Sequence, residues 1–202
     1  QCVLGYSLTG SAKEQKIFVA HGSGANGKST LFGAIKDIMG DYARETDPSL
    51  LLAKRQEGAS EDVYLLKGIR LATTIESDEN VRLNEARMKL LTGGDQITAR
   101  PLFGHYVTFD PSHKLFLITN HLPRVSGQGD AMWRRIRLIP FDHKVPDDRK
   151  DRDLPKKLRA EYPGILNWLI EGTLKWRQKG LPEPPAVLMA TSRYKNSEDT
   201  IS

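Results

Sequence analysis

The stretch that decides the fold of this 202-residue chain reads Gly22-Ser23-Gly24-Ala25-Asn26-Gly27-Lys28-Ser29-Thr30. It fits the pattern G-x-x-x-x-G-K-[ST] at every specified position, which is the pattern of a loop that wraps around phosphate groups. Residues 17–20, directly before it, are apolar and predict a buried strand. After it, apolar residues recur at helical spacing from Leu31 to Met39, and Gly40 supplies a stop signal. A strand, a glycine-rich loop and a helix in this order predict an α/β nucleotide-binding unit.

The residue types in this loop suit a triphosphate and its metal ion. Glycines allow successive backbone N–H groups to converge on phosphate oxygens, and the start of the following helix adds positive potential. We expect the Lys28 amine to reach the β- and γ-phosphates and the Ser29 hydroxyl to hold Mg²⁺. A plain glycine-rich turn is the alternative, but a chance match rarely brings both flanks. The stretch therefore predicts binding of a nucleoside triphosphate.

Composition favours a soluble globular protein, since 39% of the residues are hydrophobic and 27% are charged. The longest apolar runs, such as residues 115–118, are too short to span a membrane, and no basic-then-apolar leader opens the chain. Cys2 is the single cysteine, which excludes an internal disulfide and fits a reducing compartment. We expect a location in the cytoplasm, or in the host cytoplasm for a phage protein, without a membrane partner. The first residue is Gln1, which is compatible with a piece of a longer polypeptide.

The charge balance is mildly basic, with a formal net charge of +5 and an isoelectric point near 9.3. The charges are dispersed along the chain rather than gathered in a polybasic tail. Such a surface is compatible with binding a polyanion, although many enzymes share it.

Alternating strands and helices predict an α/β fold with a mostly parallel sheet, flanked by helices on both faces. Core strands are expected at residues 17–20, 69–75, 114–119 and 136–139, and shorter strands at 96–103 and 106–110 around a turn at Gly104-His105. A helix is expected over 83–91 with Asn84 as its N-cap.

The remaining segments divide the chain into two parts. Residues 41–60 read as loop, the apolar residues from Ile165 to Trp176 predict one or two helices, and the prolines from Pro182 open a tail left without assigned structure. We expect residues 1–145 to form the nucleotide-binding core and residues 146–202 to form a small C-terminal helical segment and tail of the same module.

An acidic residue and an amide follow two of the predicted core strands. A triphosphatase needs an acid beside the loop to orient Mg²⁺ and the attacking water, and Glu76 meets that need. Asp78 and Glu79 are rivals for this role. Asn120 ends the next core strand, where an amide could contact the γ-phosphate, since ligands bind at the carboxyl ends of parallel strands. The alternative for Asn120 is the start of a turn before a proline, and the residue pattern does not separate the two.

Three arginines lie within four residues in Trp133-Arg134-Arg135-Ile136-Arg137. A solvated basic face and a pair of acid-bridging arginines are the plain interpretations. The third is an arginine finger, inserted into the nucleotide site of a neighbouring subunit, where it stabilises transition-state charge.

Taken together, the order of these motifs resembles the superfamily 3 helicases, a branch of the AAA+ ATPases, and in particular the helicase module of phage and plasmid primase–helicases. The resemblance rests on Asn26-Gly27 in the loop, on Glu76 followed by Arg82-Leu83-Asn84-Glu85, on Lys89 to Arg100, and on Lys114 to Pro123 with Trp133-Arg134-Arg135 and Ile139-Pro140-Phe141. The block from Thr92 to Arg100 is the most specific of these. The match spans residues 4 to 185 or so.

The resemblance implies a ring, expected to be a homo-hexamer in the full-length protein, with ATP at each subunit interface. One subunit then supplies the loop with Lys28, together with Glu76 and Asn120 as first sensor, and its neighbour supplies Arg134 or Arg135 as the finger. Ser29 and Glu76 are the expected Mg²⁺ ligands. Many family members place two acids side by side, whereas Ser77 follows Glu76 here, so both acidic duties fall on one carboxylate.

The resemblance also implies that residues 100–107 form a hairpin that projects into a central channel and grips single-stranded DNA. Its tip is expected at Gly104-His105, with Arg100 at the base. Many relatives carry a lysine at the tip, and His105 replaces it here. A neutral histidine can still stack on a base or bond a phosphate.

The function expected from all this is an ATP-dependent DNA helicase or translocase acting on single-stranded or forked DNA in replication of a mobile element. The family also allows a primase domain in the same polypeptide. Two alternatives stay open: a ring that binds or loads on DNA without unwinding it, and a phosphotransferase built on the same loop.

Overall fold

Five parallel strands form the central sheet in the computed structural model, which describes residues 1–53, 61–126 and 129–199. The strands in chain order are β1 (Ile17–His21), β2 (Ala43–Thr46), β3 (Leu71–Glu76), β4 (Ile97–Ala99), β5 (Val107–Phe109), β6 (Lys114–Thr119) and β7 (Ile136–Pro140). In the sheet they follow the order β2-β3-β6-β1-β7, while β4 and β5 pair with each other as an antiparallel hairpin. The predicted α/β class with a mostly parallel sheet is confirmed.

Helices cover the sheet and connect its strands. They are α1 (Cys2–Tyr6), α2 (Lys28–Met39), α3 (Glu61–Tyr64), α4 (Glu85–Thr92), α5 (Asp130–Trp133), α6 (Leu154–Ala160), α7 (Tyr162–Lys179) and α8 (Pro185–Asp199), with 3₁₀ turns at Gly40–Tyr42, Pro48–Leu50 and Asp147–Arg149. The Asn84 side chain caps α4 by accepting from the Arg87 N–H at 3.1 Å, as the sequence predicts.

Alternation along the strands divides the core into two apolar layers. In β1, Ile17 and Val19 belong to one layer, and Phe18 and Ala20 belong to the layer beneath α2. Because successive side chains of a strand point to opposite faces, a sheet buried on both faces needs apolar residues at every position. All six residues of β6 are buried, which places that strand at the centre of the sheet.

Two elements lie where the sequence analysis expected irregular structure. Residues 41–60 contain the edge strand β2, whose central residues Arg44 and Glu45 are exposed and gave no apolar signal; residues 54–60 of that segment lie outside the described part of the chain. Beyond the prolines, α8 packs along β7, where the Thr191 hydroxyl accepts from the Leu138 N–H at 3.0 Å. Both elements owe their conformation to pairing with the sheet.

The hairpin strands are shorter than expected. The sequence predicts strands over residues 96–103 and 106–110, whereas β4 and β5 have three residues each and a seven-residue loop joins them. Arg100 and Pro101 begin that loop, because a proline cannot donate to the ladder. No helix among the described residues is long and apolar enough to cross a membrane.

Candidate functional site

The glycine-rich loop leaves the carboxyl end of β1 and enters α2 directly. Gly24 and Gly27 have φ values of 97° and 82°, and Gly27 is the N-cap of α2. Glycine adopts this left-handed region at little cost, so the chain can turn sharply and aim its N–H groups into the concave side. The twelve-residue α2 begins at Lys28, and its N-terminus adds to the positive potential of the loop.

The Lys28 side chain lies buried inside this loop, with 4% of its surface exposed. Its amine donates to the Gly22 carbonyl at 2.6 Å, and to the side-chain oxygens of Asn26 and Asn120 at 3.2 Å each. Burial lowers the pKa of this amine from its ordinary value. The three acceptors are neutral oxygens, which phosphate oxygens can replace with a gain in electrostatic attraction.

The segment that follows β7 braces the loop from outside. The Asn26 amide donates to the Phe141 carbonyl at 2.9 Å, and the Val145 N–H donates to the Ala25 carbonyl at 2.8 Å. A Cβ on Gly22 would lie 2.3 Å from both the Asn26 amide nitrogen and the Phe141 oxygen. Gly22 is therefore required by close packing rather than by its backbone angles.

The register of the sheet brings the predicted strand-end residues to one edge. Glu76 of β3 pairs with Thr119 of β6, and Thr119 pairs with His21 of β1. Neighbouring strands lie about 4.8 Å apart, so the Glu76 backbone is on the order of 10 Å from the start of the loop. The Glu76 carboxylate accepts from the N–H groups of Ser77 and Asp78 at 2.8 Å each.

Asn120 is exposed at the tip of β6, and its contact with the Lys28 amine joins it to the phosphate loop. The turn after it is fixed by Thr119, whose hydroxyl donates to the His121 carbonyl at 2.7 Å. His121 in turn lies 3.5 Å from the Glu79 carboxylate. The structure thus brings Lys28 and Asn120 together and leaves Glu79 engaged with His121.

The donor set at this edge fits a magnesium ion held mainly by substrate oxygens. Ser29 is exposed in the first turn of α2, and Glu76 is half-buried at the end of β3. Within the described residues, no group of three or more His, Cys, Asp or Glu side chains is arranged to hold a metal. A hydroxyl and one carboxylate suit Mg²⁺, which keeps several waters and uses phosphate oxygens as ligands.

The two finger candidates differ sharply in environment. Arg135 is buried, and its guanidinium donates to the Thr92 hydroxyl at 3.0 Å and to the Ala131 carbonyl at 2.5 Å. Arg134 is exposed, and its side chain has a long contact of 3.5 Å with Gln15. The main-chain carbonyl of Arg134 accepts from the Lys16 amine at 2.6 Å.

Both arginines lie where the strands of the sheet begin, at the end opposite the phosphate loop. They directly precede Ile136, which pairs with Ile17 at the start of β1, whereas His21 pairs with Pro140 at the other end. Five residues of strand span about 16 Å, so neither guanidinium is at the nucleotide site of its own chain.

The hairpin of β4 and β5 presents its loop to solvent. Arg100, His105 and Tyr106 are exposed, and the Arg100 guanidinium lies 5.3 Å from the centre of the Tyr106 ring. The turn is closed by the Gly104 N–H, which donates to the Pro101 carbonyl at 3.0 Å. It therefore lies over residues 101–104, ahead of the expected Gly104-His105.

Sequence reasoning missed two features of these sites. The bracing of the loop by Phe141 and Val145 depends on main-chain atoms, which leave no residue-type signal. Phe103, in contrast, does carry a signal in the sequence, because an aromatic residue directly before Gly104 in a predicted turn is unusual.

The chain is similar to proteins of large DNA viruses that are named as helicases and primases. No protein-family model matches the sequence. A protein of Acanthamoeba polyphaga mimivirus named as helicase L207/L206 is 34% identical over 216 residues, which cover 98% of this chain and 22% of that protein. A protein of African swine fever virus named as primase C962R is 27% identical over 209 residues, covering 94% of this chain and 22% of that protein. The chain thus spans 22% of the length of these relatives.

Among solved structures, the fold is similar to the apo form of the C-terminal region of NrS-1. The TM-score is 0.69 at 13% identity, and the match covers 96% of this chain and 46% of that one. At this level of identity, the likeness concerns the fold and not the chemistry of individual residues.

Proposed function

We propose that this chain is a superfamily 3 helicase module, an ATP-hydrolysing motor that translocates along single-stranded DNA during replication. The relatives named as helicase and primase support a helicase-type role in replication. The proposal includes ATP, Mg²⁺ and DNA as the ligands of the chain and a ring as its assembly.

One observation carries the proposal furthest. The Lys28 amine, buried in a left-handed glycine loop, bonds the side chain of Asn120 at the end of the neighbouring strand. A phosphate-loop lysine tied to a polar strand tip is an arrangement that can sense whether a γ-phosphate is present, because that phosphate competes for the same amine.

In the proposed mechanism, the ATP phosphates enter the loop and replace the neutral acceptors of Lys28. The released Asn120 amide then bonds the γ-phosphate or the attacking water. The water oxygen attacks the γ-phosphorus while its proton passes to the Glu76 carboxylate, and the bond between the γ-phosphorus and the β-phosphate oxygen breaks, so that ADP and inorganic phosphate leave. When bound, Mg²⁺ supplies positive charge to the phosphate oxygens, with Ser29 and Glu76 as its protein ligands.

The arginine finger comes from the neighbouring subunit in this proposal. Arg134 is the candidate we favour, because its guanidinium is exposed at the edge of the sheet away from its own loop. Arg135 is buried and bonded to Thr92 and Ala131, so it is assigned to holding α4 against the start of β7. A finger in trans makes hydrolysis depend on the interface, which couples chemistry to subunit movement.

The DNA-gripping element is proposed to be the hairpin loop, with Arg100, Gly104 and His105 in contact with the strand. A homo-hexamer surrounds the strand in the full-length protein, and a primase domain in the same polypeptide is a further proposal. The division into a core over 1–145 and a C-terminal segment over 146–202 also stays a prediction, as does the origin from a phage or plasmid.

The test compares Lys28→Ala with Lys36→Ala. Lys36 lies on the same helix and pairs with Glu45 on the surface, so its replacement makes the same charge change away from the loop. We expect Lys28→Ala to lower ATP turnover by a factor of roughly 10²–10³ or more, with the melting temperature little changed. Lys36→Ala should keep near-normal turnover, measured by phosphate release with and without single-stranded DNA.

Unwinding of a forked duplex, measured beside ATP turnover, separates the proposed motor from its alternatives. ATP-dependent DNA binding without strand separation would favour the loading ring. Near-normal turnover of Lys28→Ala would contradict the phosphate-loop assignment itself. Transfer of phosphate to an acceptor other than water would favour the phosphotransferase.

A further inference from the structure

Phe103 is the most exposed large apolar residue of the described chain, with 100% of its surface accessible. It lies at the tip of the β4–β5 hairpin, next to Leu102, which is 56% exposed. Scattered exposed apolar residues are normal on protein surfaces. A fully exposed phenylalanine, however, adds no hydrophobic stabilisation to the folded state, because none of its surface is removed from water.

The backbone of Phe103 adds a second cost. The turn is closed by the bond from the Gly104 N–H to the Pro101 carbonyl, so Phe103 occupies its third position, with φ of 60°. Glycine or asparagine is favoured at a turn position with positive φ, and a bulky residue is strained there. A turn that served only to connect β4 with β5 has no use for this side chain.

The stem of the hairpin holds the tip firmly. Ile97, Ala99 and Phe109 are buried in the core, and the hydroxyls of Thr98 and Thr108 bond each other across the strands at 2.9 Å. A Cβ on Gly104 would lie 2.4 Å from the Pro101 ring, so the turn itself is close-packed. The Phe103 ring is thus presented to solvent by an anchored stem and a compact turn.

Below the tip lies a second aromatic ring beside a cation. Tyr106 is 68% exposed, and the Arg100 guanidinium lies over its ring at 5.3 Å. Aromatic rings that stack on bases, with a nearby cation for the phosphates, are how proteins hold single strands without reading their sequence. The net charge of +5 and the Arg100 guanidinium beside these rings favour a polyanion over an uncharged apolar partner.

We propose that Phe103 stacks on the nucleobases of the single strand held by the hairpin, with Tyr106 as a second stacking ring and Arg100 facing the phosphates. This inference rests on the proposed function, because it specifies how the hairpin holds DNA. It adds base contacts by Phe103 to the DNA contacts proposed for Arg100, Gly104 and His105. Left-handed strain at residue 103 is tolerated because the phenylalanine is the part of the turn that contacts the ligand.

The test measures binding of the full chain, with a non-hydrolysable ATP analogue, to an oligothymidylate and to an abasic strand of equal length. Both strands carry the same phosphates, but only the first has bases to stack. We expect Phe103→Gly to weaken oligothymidylate binding by about 5- to 150-fold, the equivalent of about 1–3 kcal/mol per stacked base. Binding of the abasic strand should change little.

Two variants serve as controls. Phe103→Tyr keeps the ring and should retain tight binding of oligothymidylate. Leu174→Ala removes a similarly exposed apolar side chain from α7, where 50% of the leucine surface is accessible, and should alter neither strand. Melting curves of all variants exclude unfolding, and Phe103→Gly should melt no lower than the parent chain.

The outcomes separate this inference from the function it rests on. If the parent chain binds both strands and Phe103→Gly binds them equally well, the stacking role is overturned while the motor proposal stands. Equal weakening of both strands by Phe103→Gly would also overturn it, since the loss would then not involve bases. If the parent chain binds neither strand but hydrolyses ATP, the DNA-binding part of the proposed function fails together with the inference.

Discussion

The carboxyl edge of the central sheet, where its parallel strands end, and the amino edge, where they begin, use positive charge in different ways. At the carboxyl edge, the buried Lys28 amine is held by three neutral oxygens at the end of β1 and β6. At the amino edge, several basic side chains donate to main-chain carbonyls: Lys16 to Arg134, Arg70 to Leu8, Lys114 to Ser112, and Arg135 to Ala131. The first edge keeps a cation ready for a ligand, and the second uses most of its cations to hold the fold.

Strand β6 links the two edges. It begins at Lys114, five residues after the hairpin strand β5 ends at Phe109, and it ends beside Asn120 at the carboxyl edge. All six of its residues are buried between neighbouring strands, so it is expected to move as a rigid rod. In the proposed function the two edges have different roles: the carboxyl edge binds nucleotide, and the amino edge carries the hairpin and the candidate finger Arg134.

The largest effect that tests this division is expected from the two adjacent arginines. Arg134→Ala should lower DNA-stimulated ATP turnover of the assembled protein by about 10³-fold or more, without loss of folding stability. Arg135→Ala should lower the free energy of unfolding by about 1–3 kcal/mol, because it leaves the Thr92 hydroxyl and the Ala131 carbonyl without their guanidinium partner. Turnover assays and denaturant titrations measure the two effects.

A mixing experiment decides whether Arg134 acts across an interface. Arg134→Ala subunits combined with Lys28→Ala subunits should recover part of the turnover, because a mixed interface joins an intact finger to an intact loop. Absence of rescue at every ratio would contradict action in trans. Normal turnover of Arg134→Ala would remove the arginine from the proposal altogether.

The second prediction compares two glycines at the carboxyl edge. Gly22→Ala should weaken binding of an ATP analogue by at least about tenfold, since the new Cβ would collide with Asn26 and the Phe141 carbonyl that brace the loop. Gly33→Ala is the matched control, because no atom lies within 4 Å of its added Cβ and it is in the interior of α2. It should keep binding intact and raise the free energy of unfolding by about 0.5–1 kcal/mol. Equal binding by both variants would show that the bracing is dispensable.

The smallest effect is expected from Lys114 at the amino edge. Its amine is buried, donates to Ser112 at 2.8 Å, and lies 5.0 Å from the Tyr6 ring centre. Burial, with the nearby Arg70 charge second, lowers its pKa to about 7. In the unfolded chain the pKa is about 10.4, so between these values the unfolded state binds more protons and stability rises with pH.

Replacement of Lys114 by methionine should remove this pH dependence. From about pH 7 to about pH 9, the parent chain should gain about 1–2 kcal/mol of unfolding free energy relative to Lys114→Met. Lys36→Met, a change at a partly exposed lysine that pairs with Glu45, should follow the parent curve. Parallel curves for the parent and Lys114→Met would mean that Lys114 stays charged in the folded protein.

Much of the fold could be predicted from local pattern. The phosphate-loop unit, the strands β3, β6 and β7, and the helix capped by Asn84 were all expected, because their apolar periodicity and turn residues agree with the tertiary structure. The edge strand β2 and helix α8 were not, since Arg44, Glu45 and the prolines before α8 carry no such pattern. These elements are specified by contacts with β3 and β7, which lie far away in the sequence.

The candidate site divides in the same manner. Residue types alone indicated Lys28, Ser29, Glu76 and Asn120, because chemistry at a phosphate restricts which side chains can serve. They could not rank Arg134 above Arg135, since burial decides between them. Residue types also predicted the hairpin turn at Gly104-His105. The hydrogen bond between the Gly104 N–H and the Pro101 carbonyl instead places the turn at residues 101–104, where Phe103 is exposed.

By itself, then, the sequence determined the class of fold and the glycine-rich loop between β1 and α2, both of which are written in short-range patterns of glycine, lysine and apolar residues. The tertiary structure alone decided which arginine is exposed, where the hairpin turns and what braces Gly22. Those properties depend on main-chain atoms and burial supplied by distant segments, and no local pattern encodes them.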